Sequence, residues 1–285
     1  MKQYIIVISV ALCLVSCSHR SKHWETLAQV ESYIEERPDS ALNVLQGMDK
    51  GELSGKEEKA KHALLLSMAM DKNYIDRTDF DVLQPAIDFY EDHGSATDKL
   101  RTYYYQGRIY QNAGNDAAAM ESFVNSLDVG SESNDNLTKA RILVAQSNIY
   151  YSLMKWEKVC DVNIEAANYY NELGRTNNYV YCLLRCIGGY IQSNNFDKAK
   201  DLLGKCYQYT ENLPELLISE IYSYHLLYSV AANNFESVPL IIGEYKNKVS
   251  EENIDYLTVA GAYADIGAYD KAEDMLVRIN TKSLE

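Results

Sequence analysis

Two six-residue stretches decide the fold: Asn194-Asn195-Phe196-Asp197-Lys198-Ala199 and Gly267-Ala268-Tyr269-Asp270-Lys271-Ala272. Each opens on a residue suited to a turn, places an aromatic ring two positions later, and puts a small residue three beyond that. Asn233-Asn234-Phe235-Glu236-Ser237-Val238 repeats the pattern, and Met154-Lys155-Trp156-Glu157-Lys158-Val159 is a divergent copy. Gly114-Asn115-Asp116 keeps the turn and Ala119 but lacks the aromatic. An apolar helical stretch precedes each copy. A short motif returning at intervals of tens of residues marks a stacked array, because one helical hairpin cannot bury its apolar face alone. The pattern predicts units of helix A, turn and helix B.

The small residue can be followed outward through Ala41, Ala86, Ala119, Val159, Ala199, Val238 and Ala272, at spacings of 45, 33, 40, 40, 39 and 34 residues. Seven helix pairs over residues 24–280 follow, with the longer intervals implying elongated helices or inserted loops. Pro38, Pro85 and Pro239 fall near predicted starts of B helices, where a missing amide costs little, and Pro214 opens an A helix. The chain of 285 residues holds only 14 Gly and 4 Pro but 24 Tyr, which suits long helices locked to their neighbours by large side chains.

Tyr103, Gly107, Tyr110, Ala119 and Phe123 match the small and aromatic positions of one repeat, and on them the sequence resembles the tetratricopeptide repeat (TPR) family. That resemblance implies an all-α, right-handed superhelical solenoid of antiparallel helix pairs whose A helices line a concave, partner-binding surface. The family's period is 34 residues, so this array is an irregular one. Its last pair lacks the polar capping helix usual in such arrays. The expectation there is an unusually polar outer face, a shortened family member, or cover by a partner or a second copy, which would make a homo-oligomer.

The first residues read as an address. Lys2 precedes a 13-residue uncharged run, Tyr4 to Ser16, too short to span a bilayer core of roughly 30 Å. Leu14-Val15-Ser16-Cys17 resembles the bacterial lipobox, which makes residues 1–16 a signal peptide and Cys17 a lipidated N-terminus. Leu12 before Cys13 is too bulky for that role. Residues 17–23 form a short tether and 281–285 a tail. Glu36-Arg37-Pro38-Asp39-Ser40-Ala41-Leu42 is similar to the segment that follows the signal in TPR lipoproteins of gut Bacteroidetes. With Ser18 after the cysteine, the sorting rule for such proteins implies the outer membrane, and the basic patch His19, Arg20, Lys22 and His23 favours its periplasmic side. The lipid is the membrane contact.

A formal charge of −14 opposes nucleic-acid binding, which needs a basic face to release condensed counterions. No spacing supports catalysis or a cofactor. Gly51 to Lys56 is one residue short of a phosphate loop and is followed by Glu57 where Ser or Thr would hold Mg²⁺. His19, His23, His62, His93 and His225 never approach zinc-ligand spacing. Cys160, Cys182, Cys186 and Cys206 fall in two adjacent repeats at small-residue packing sites. They read first as buried free thiols, second as a disulfide such as Cys186 to Cys206, and third as a zinc site.

The candidate partner-binding residues are Arg101, Tyr104 and Arg108 on one A helix and Arg141, Asn148 and Tyr151 on the next, each set on one face. The arginines could hold a carboxylate of an extended peptide while Asn148 meets its backbone, in the manner of the carboxylate clamp of TPR grooves. The competing reading is that the arginines pair with acids of the same chain. The function expected is a non-catalytic, membrane-anchored scaffold that binds a protein or peptide in its groove. Alternatives are a sensory or regulatory input domain of an envelope signalling system and, less favoured for want of long insertions, a glycan-uptake lipoprotein.

Overall fold

The computed structural model describes residues 22–282, and every regular element among them is helical. The signal segment, Cys17 and residues 283–285 lie outside the described residues. The chain divides into two compact units, residues 1–122 and 123–285. Among the described residues, unit 1 contains α1 (Lys22–Tyr33), α2 (Pro38–Gly47), α3 (Gly55–Lys72), α4 (Gln84–Tyr90), α5 (Ala96–Asn112) and the first part of α6 (Asp116–Val129). Unit 2 takes over within α6 and continues through α7 (Asn136–Ser152), α8 (Trp156–Glu172), α9 (Thr176–Gln192), α10 (Phe196–Tyr207), α11 (Glu215–Ala231), α12 (Val238–Lys248), α13 (Tyr256–Asp265) and α14 (Tyr269–Lys282). These fourteen helices are seven A–B pairs with the odd-numbered helices as A.

Helices pack on their chain neighbours. In unit 1, α3 packs on α2, α4 and α1, and in unit 2, α9 packs on α8, α10 and α11. The A helices also meet one another, α9 with α11 and α11 with α13. The seven small residues all fall in B helices; Ala41, Ala86, Ala119, Val159, Ala199 and Val238 are fully buried, and Ala272 is 8% exposed. The two 40-residue intervals come mainly from elongated helices, α7, α8 and α9 having 17 residues each, whereas the 45-residue interval holds both the 18-residue α3 and the long connection 73–83 before α4. Only residues 153–155 separate α7 from α8, and only 193–195 separate α9 from α10.

The A-to-B turn has one geometry in the last five pairs. Gly114, Met154, Asn194, Asn233 and Gly267 all have φ between 54° and 77°. In each case the next residue's amide bonds back five positions, as in Asn195 to the Tyr190 carbonyl at 2.8 Å and Lys155 to the Tyr150 carbonyl at 2.8 Å. This is the Schellman closure, which satisfies carbonyls left open at a helix end and requires a left-handed residue. Glycine and asparagine adopt that conformation at little cost; methionine does so against its Cβ. Pro38 and Pro85 sit in the first turns of α2 and α4, Pro239 in that of α12, and Pro214 is the N-cap of α11. Side-chain caps mark three A helices: Ser95 and Asp98 form a capping box on α5, and Asp135 and Asp255 accept from the third-residue amides of α7 and α13.

Unit 2 has two apolar clusters. One joins α7 to α11 around Ala166, Leu184, Ile187 and Leu203; the other joins α11 to α14 around Leu226, Ile242, Tyr245 and Val259. Tyr245 is fully buried, stacks on Tyr222 at 5.2 Å, and its hydroxyl meets Ser219 Oγ at 2.6 Å and accepts from the Asp255 amide at 2.9 Å. The tyrosine-rich composition therefore supplies core volume together with hydroxyls that find partners.

Two expectations follow. Met154 is 71% exposed and left-handed, so Met154→Gly loses little packing and relieves strain; a gain of about 1 kcal/mol is expected in urea unfolding. His62, whose Nε2 lies 2.9 Å from the Leu45 carbonyl, and His225, whose Nδ1 lies 2.8 Å from the Tyr207 hydroxyl, are both held below the ordinary value of 6.5 because burial disfavours the charged ring. Their contribution is complete above pH 6.5 and is lost as pH falls below it, since the unfolded chain then binds protons that the folded chain refuses. Urea midpoints should drop between pH 6.5 and 5, and less steeply in a His62→Gln/His225→Gln variant.

Candidate functional site: a groove on the A helices of unit 2

The structure gives the two sets of predicted residues different surroundings. In unit 1, Glu31 of α1 accepts from Lys61 of α3 at 2.8 Å and from Arg101 of α5 at 2.7 Å. Lys72 reaches Glu35 at 2.7 Å, and Arg108 Nε donates to Asp71 Oδ1 at 3.0 Å. These pairs are partly screened from water; the Arg108 and Asp71 side chains are 27% and 21% exposed. Tyr104, between the two arginines in sequence, is buried and stands edge-on to Tyr105. The first set thus lies in a ladder of ion pairs that ties α1, α3 and α5 together. Arg141 is half-buried on α7 and does not line the groove described next.

In unit 2 the A helices carry a groove of about 620 Å³, lined from α7, α9, α11 and α13 and from no B helix. A volume of this size is that of a ligand cleft. Its walls are mostly apolar, with Tyr151, Leu227 and Leu257 respectively 43%, 48% and 67% exposed to it and to solvent. Exposed large apolar groups gathered in one concavity, in place of their usual scattering, mark a binding surface. Two glycines shape the floor. A Cβ on Gly188 would come within 3.1 Å of the Tyr224 ring, whereas one on Gly261 would meet nothing within 4 Å, so Gly261 opens directly onto empty groove.

Repeat register explains why the groove lies in unit 2. Counting back six residues from each left-handed turn residue gives Arg108, Asn148, Gly188, Leu227 and Gly261. One structural position is thus an ion-paired arginine in unit 1 and an asparagine, glycine or leucine in unit 2. Where the side chain is small or apolar, space is left between adjacent A helices, and among the described residues Asp265 at the end of α13 is the one charged residue on the lining.

Beside the groove lies Arg185 of α9, one turn before Gly188. Its guanidinium donates to Asn148 Oδ1 at 3.2 Å and lies 4.4 Å from the centre of the Tyr151 ring. Tyr224 is close too: burial pushes its phenol up and the Arg185 charge pulls it down. Among the described residues no carboxylate lies within ion-pair distance of Arg185. An arginine held by an amide oxygen and a ring face keeps donors for an incoming oxyanion. Asn148 and Tyr151 of the predicted set are brought together here, and Arg185 is the residue that the sequence reading missed. Its signal was the spacing Tyr181, Arg185, Gly188 and Gln192, which puts all four on one helical face.

No family model matches the chain, and no curated protein matches it in sequence. Solved structures do match its fold. The apo form of RapI is similar over 90% of this chain and 74% of its own, with a TM-score of 0.67 and 15% identity. A Rap protein complexed with competence and sporulation factor is similar over 90% of this chain and 73% of its own, with a TM-score of 0.56 and 14% identity. The chain is an all-α helical-repeat protein with the TPR-like fold of the Rap structures.

The ladder of unit 1 predicts a stability effect. Arg108→Met leaves Asp71 partly buried without its cation and should lower stability by about 1–3 kcal/mol in urea unfolding; adding Asp71→Asn should recover part of the loss.

Proposed function

We propose that this protein is a non-catalytic scaffold that binds a protein partner through the A-helix groove of unit 2. The observation that carries the reading is the conjunction of an apolar, glycine-floored cleft with an arginine that has no carboxylate of its own. The class of ligand is a peptide segment that lays apolar side chains along Leu227 and Leu257 and sets a carboxylate, from a side chain or a chain terminus, on Arg185. Asn148 orients the guanidinium and Tyr151 covers one face of it. Of the other residues considered from sequence, Arg101 and Arg108 would have to leave Glu31 and Asp71 to serve a partner.

The complex of a Rap protein with competence and sporulation factor supports partner capture on this fold and favours a regulatory version of the same reading, in which the bound segment is a signal. Attachment to the outer membrane through lipid on Cys17 completes the proposal and rests on the lipobox resemblance alone. No helix among the described residues is long and apolar enough to cross a membrane.

The test is selection from a display library of peptides with free C-termini on the immobilised protein, followed by calorimetry of the selected peptides. Arg185→Met should weaken binding about 10-fold or more, the value of a charge-assisted hydrogen bond. Gly261→Leu should abolish it without unfolding the chain, because the new side chain enters the groove and a helix interior tolerates leucine better than glycine. Selected peptides that bind both variants like the wild type would exclude the groove.

A further inference from the structure

Four cysteines are buried in unit 2, and two of them stand in a relation the others do not share. Cys160 of α8 and Cys186 of α9 approach reciprocally: the Cys160 Sγ lies 3.5 Å from the Cys186 carbonyl oxygen, and the Cys186 Sγ lies 3.6 Å from the Cys160 carbonyl oxygen. Each sulfur can sit beside the other residue's backbone only if the two helices are in close contact at this point. Gly189 permits that contact. A Cβ there would lie 2.8 Å from the Cys160 Sγ and 3.3 Å from the Trp156 carbonyl, so a larger residue would displace the Cys160 thiol and press on the α8 backbone. Two helices pressed together with a thiol on each, backbone to backbone, meet the first requirement of a disulfide, which is short separation of the parent residues.

From this geometry we infer that Cys160 and Cys186 are a disulfide site that ties α8, the B helix of one repeat, to α9, the A helix of the next. The pairing differs from the Cys186 to Cys206 bridge considered from sequence. The thiols of Cys182 and Cys206 are simply pushed up to about 12 by burial. Within the pair, the neighbouring Cys160 and burial push the Cys186 thiol up.

The oxidant is a disulfide, either low in molecular weight or carried by a thiol-disulfide oxidoreductase. One of the two cysteines, as its thiolate, attacks one of the oxidant's sulfurs, the external S–S bond breaks, and one thiolate leaves. The other cysteine then loses its proton and attacks the chain's own sulfur of the mixed disulfide, expelling the second thiolate. The chain gives up two electrons and two protons, and the oxidant ends as two thiols. Cys160 is 3% exposed and Cys186 fully buried in the folded chain, so the exchange belongs to folding, before α8 and α9 close.

The tie falls directly behind the groove, since Cys186 follows Arg185 and precedes Gly188 on α9. It would hold the helix that carries the arginine against the repeat that carries Asn148 and Tyr151. It does not depend on the peptide-binding proposal, because a cross-link between these helices is detectable whatever the groove holds.

The experiment is to unfold and reduce the full chain, refold it in oxidised and reduced glutathione, block remaining thiols with iodoacetamide, and map non-reduced proteolytic peptides by mass. The expected result is a linked pair of peptides containing Cys160 and Cys186, in the wild type and in Cys182→Ala/Cys206→Ala alike. The oxidised chain should then melt about 5 °C or more above the same chain after reduction, for a cross-link closing a 26-residue loop. Complete alkylation of both cysteines after oxidative refolding would overturn the inference, as would a Cys186 to Cys206 link in the wild type. Because the wild type carries the deciding measurement, a variant that fails to refold leaves the test intact.

Discussion

The closeness of two helices at one small residue is the constraint on which the rest of the structure depends. In every B helix that residue is alanine or valine, and it is buried against its surroundings. A larger side chain there would push the helices apart, and packed interiors accommodate added volume poorly. In the last five pairs the left-handed turn before the B helix enforces the same closeness from the covalent side, because it reverses the chain within three residues and satisfies the last carbonyls of helix A. Turn and small residue act together: the turn brings the helices to one another, and the small residue lets them meet.

With the hairpin fixed, each repeat must still bury the outer face it leaves open, and the two units do this differently. Unit 1 joins its A helices with shared carboxylates, Glu31 serving both Lys61 and Arg101. Unit 2 joins its A helices with apolar contacts and tyrosine hydroxyls, and leaves a cleft where glycine replaces a filling side chain. Partly buried ion pairs need matched partners on both sides, whereas an apolar cleft can accept a ligand without leaving an orphaned charge. That difference directs attention from the arginines of unit 1 to Arg185.

Much of the architecture was legible in the sequence. All seven pairs, the A or B role of each helix, the helix starts at the prolines and the left-handed turns follow from a pattern of six residues, because turn chemistry and small-residue packing act locally. Even the divergent copy at Met154 kept its geometry. The reason for the irregular spacing was open between longer helices and added loops, and the structure uses both, long helices around Val159 and a long connection at 73–83. The candidate site was half legible. Asn148 and Tyr151 were placed correctly on one face, but Arg101 and Arg108 have the same residue type and spacing whether they face a partner or their own acids. Their acids lie 70 and 37 positions away in sequence.

The sequence by itself determined the hairpin unit, its repetition and the burial of its small residues, since those depend on neighbours within a turn or two. Only the tertiary structure decided which arginines are matched by acids, where two glycines open a cleft, and which two of four cysteines face one another. Those are relations between side chains on different helices, and a charge, a void or a thiol pair exists only once packing has set which surfaces meet.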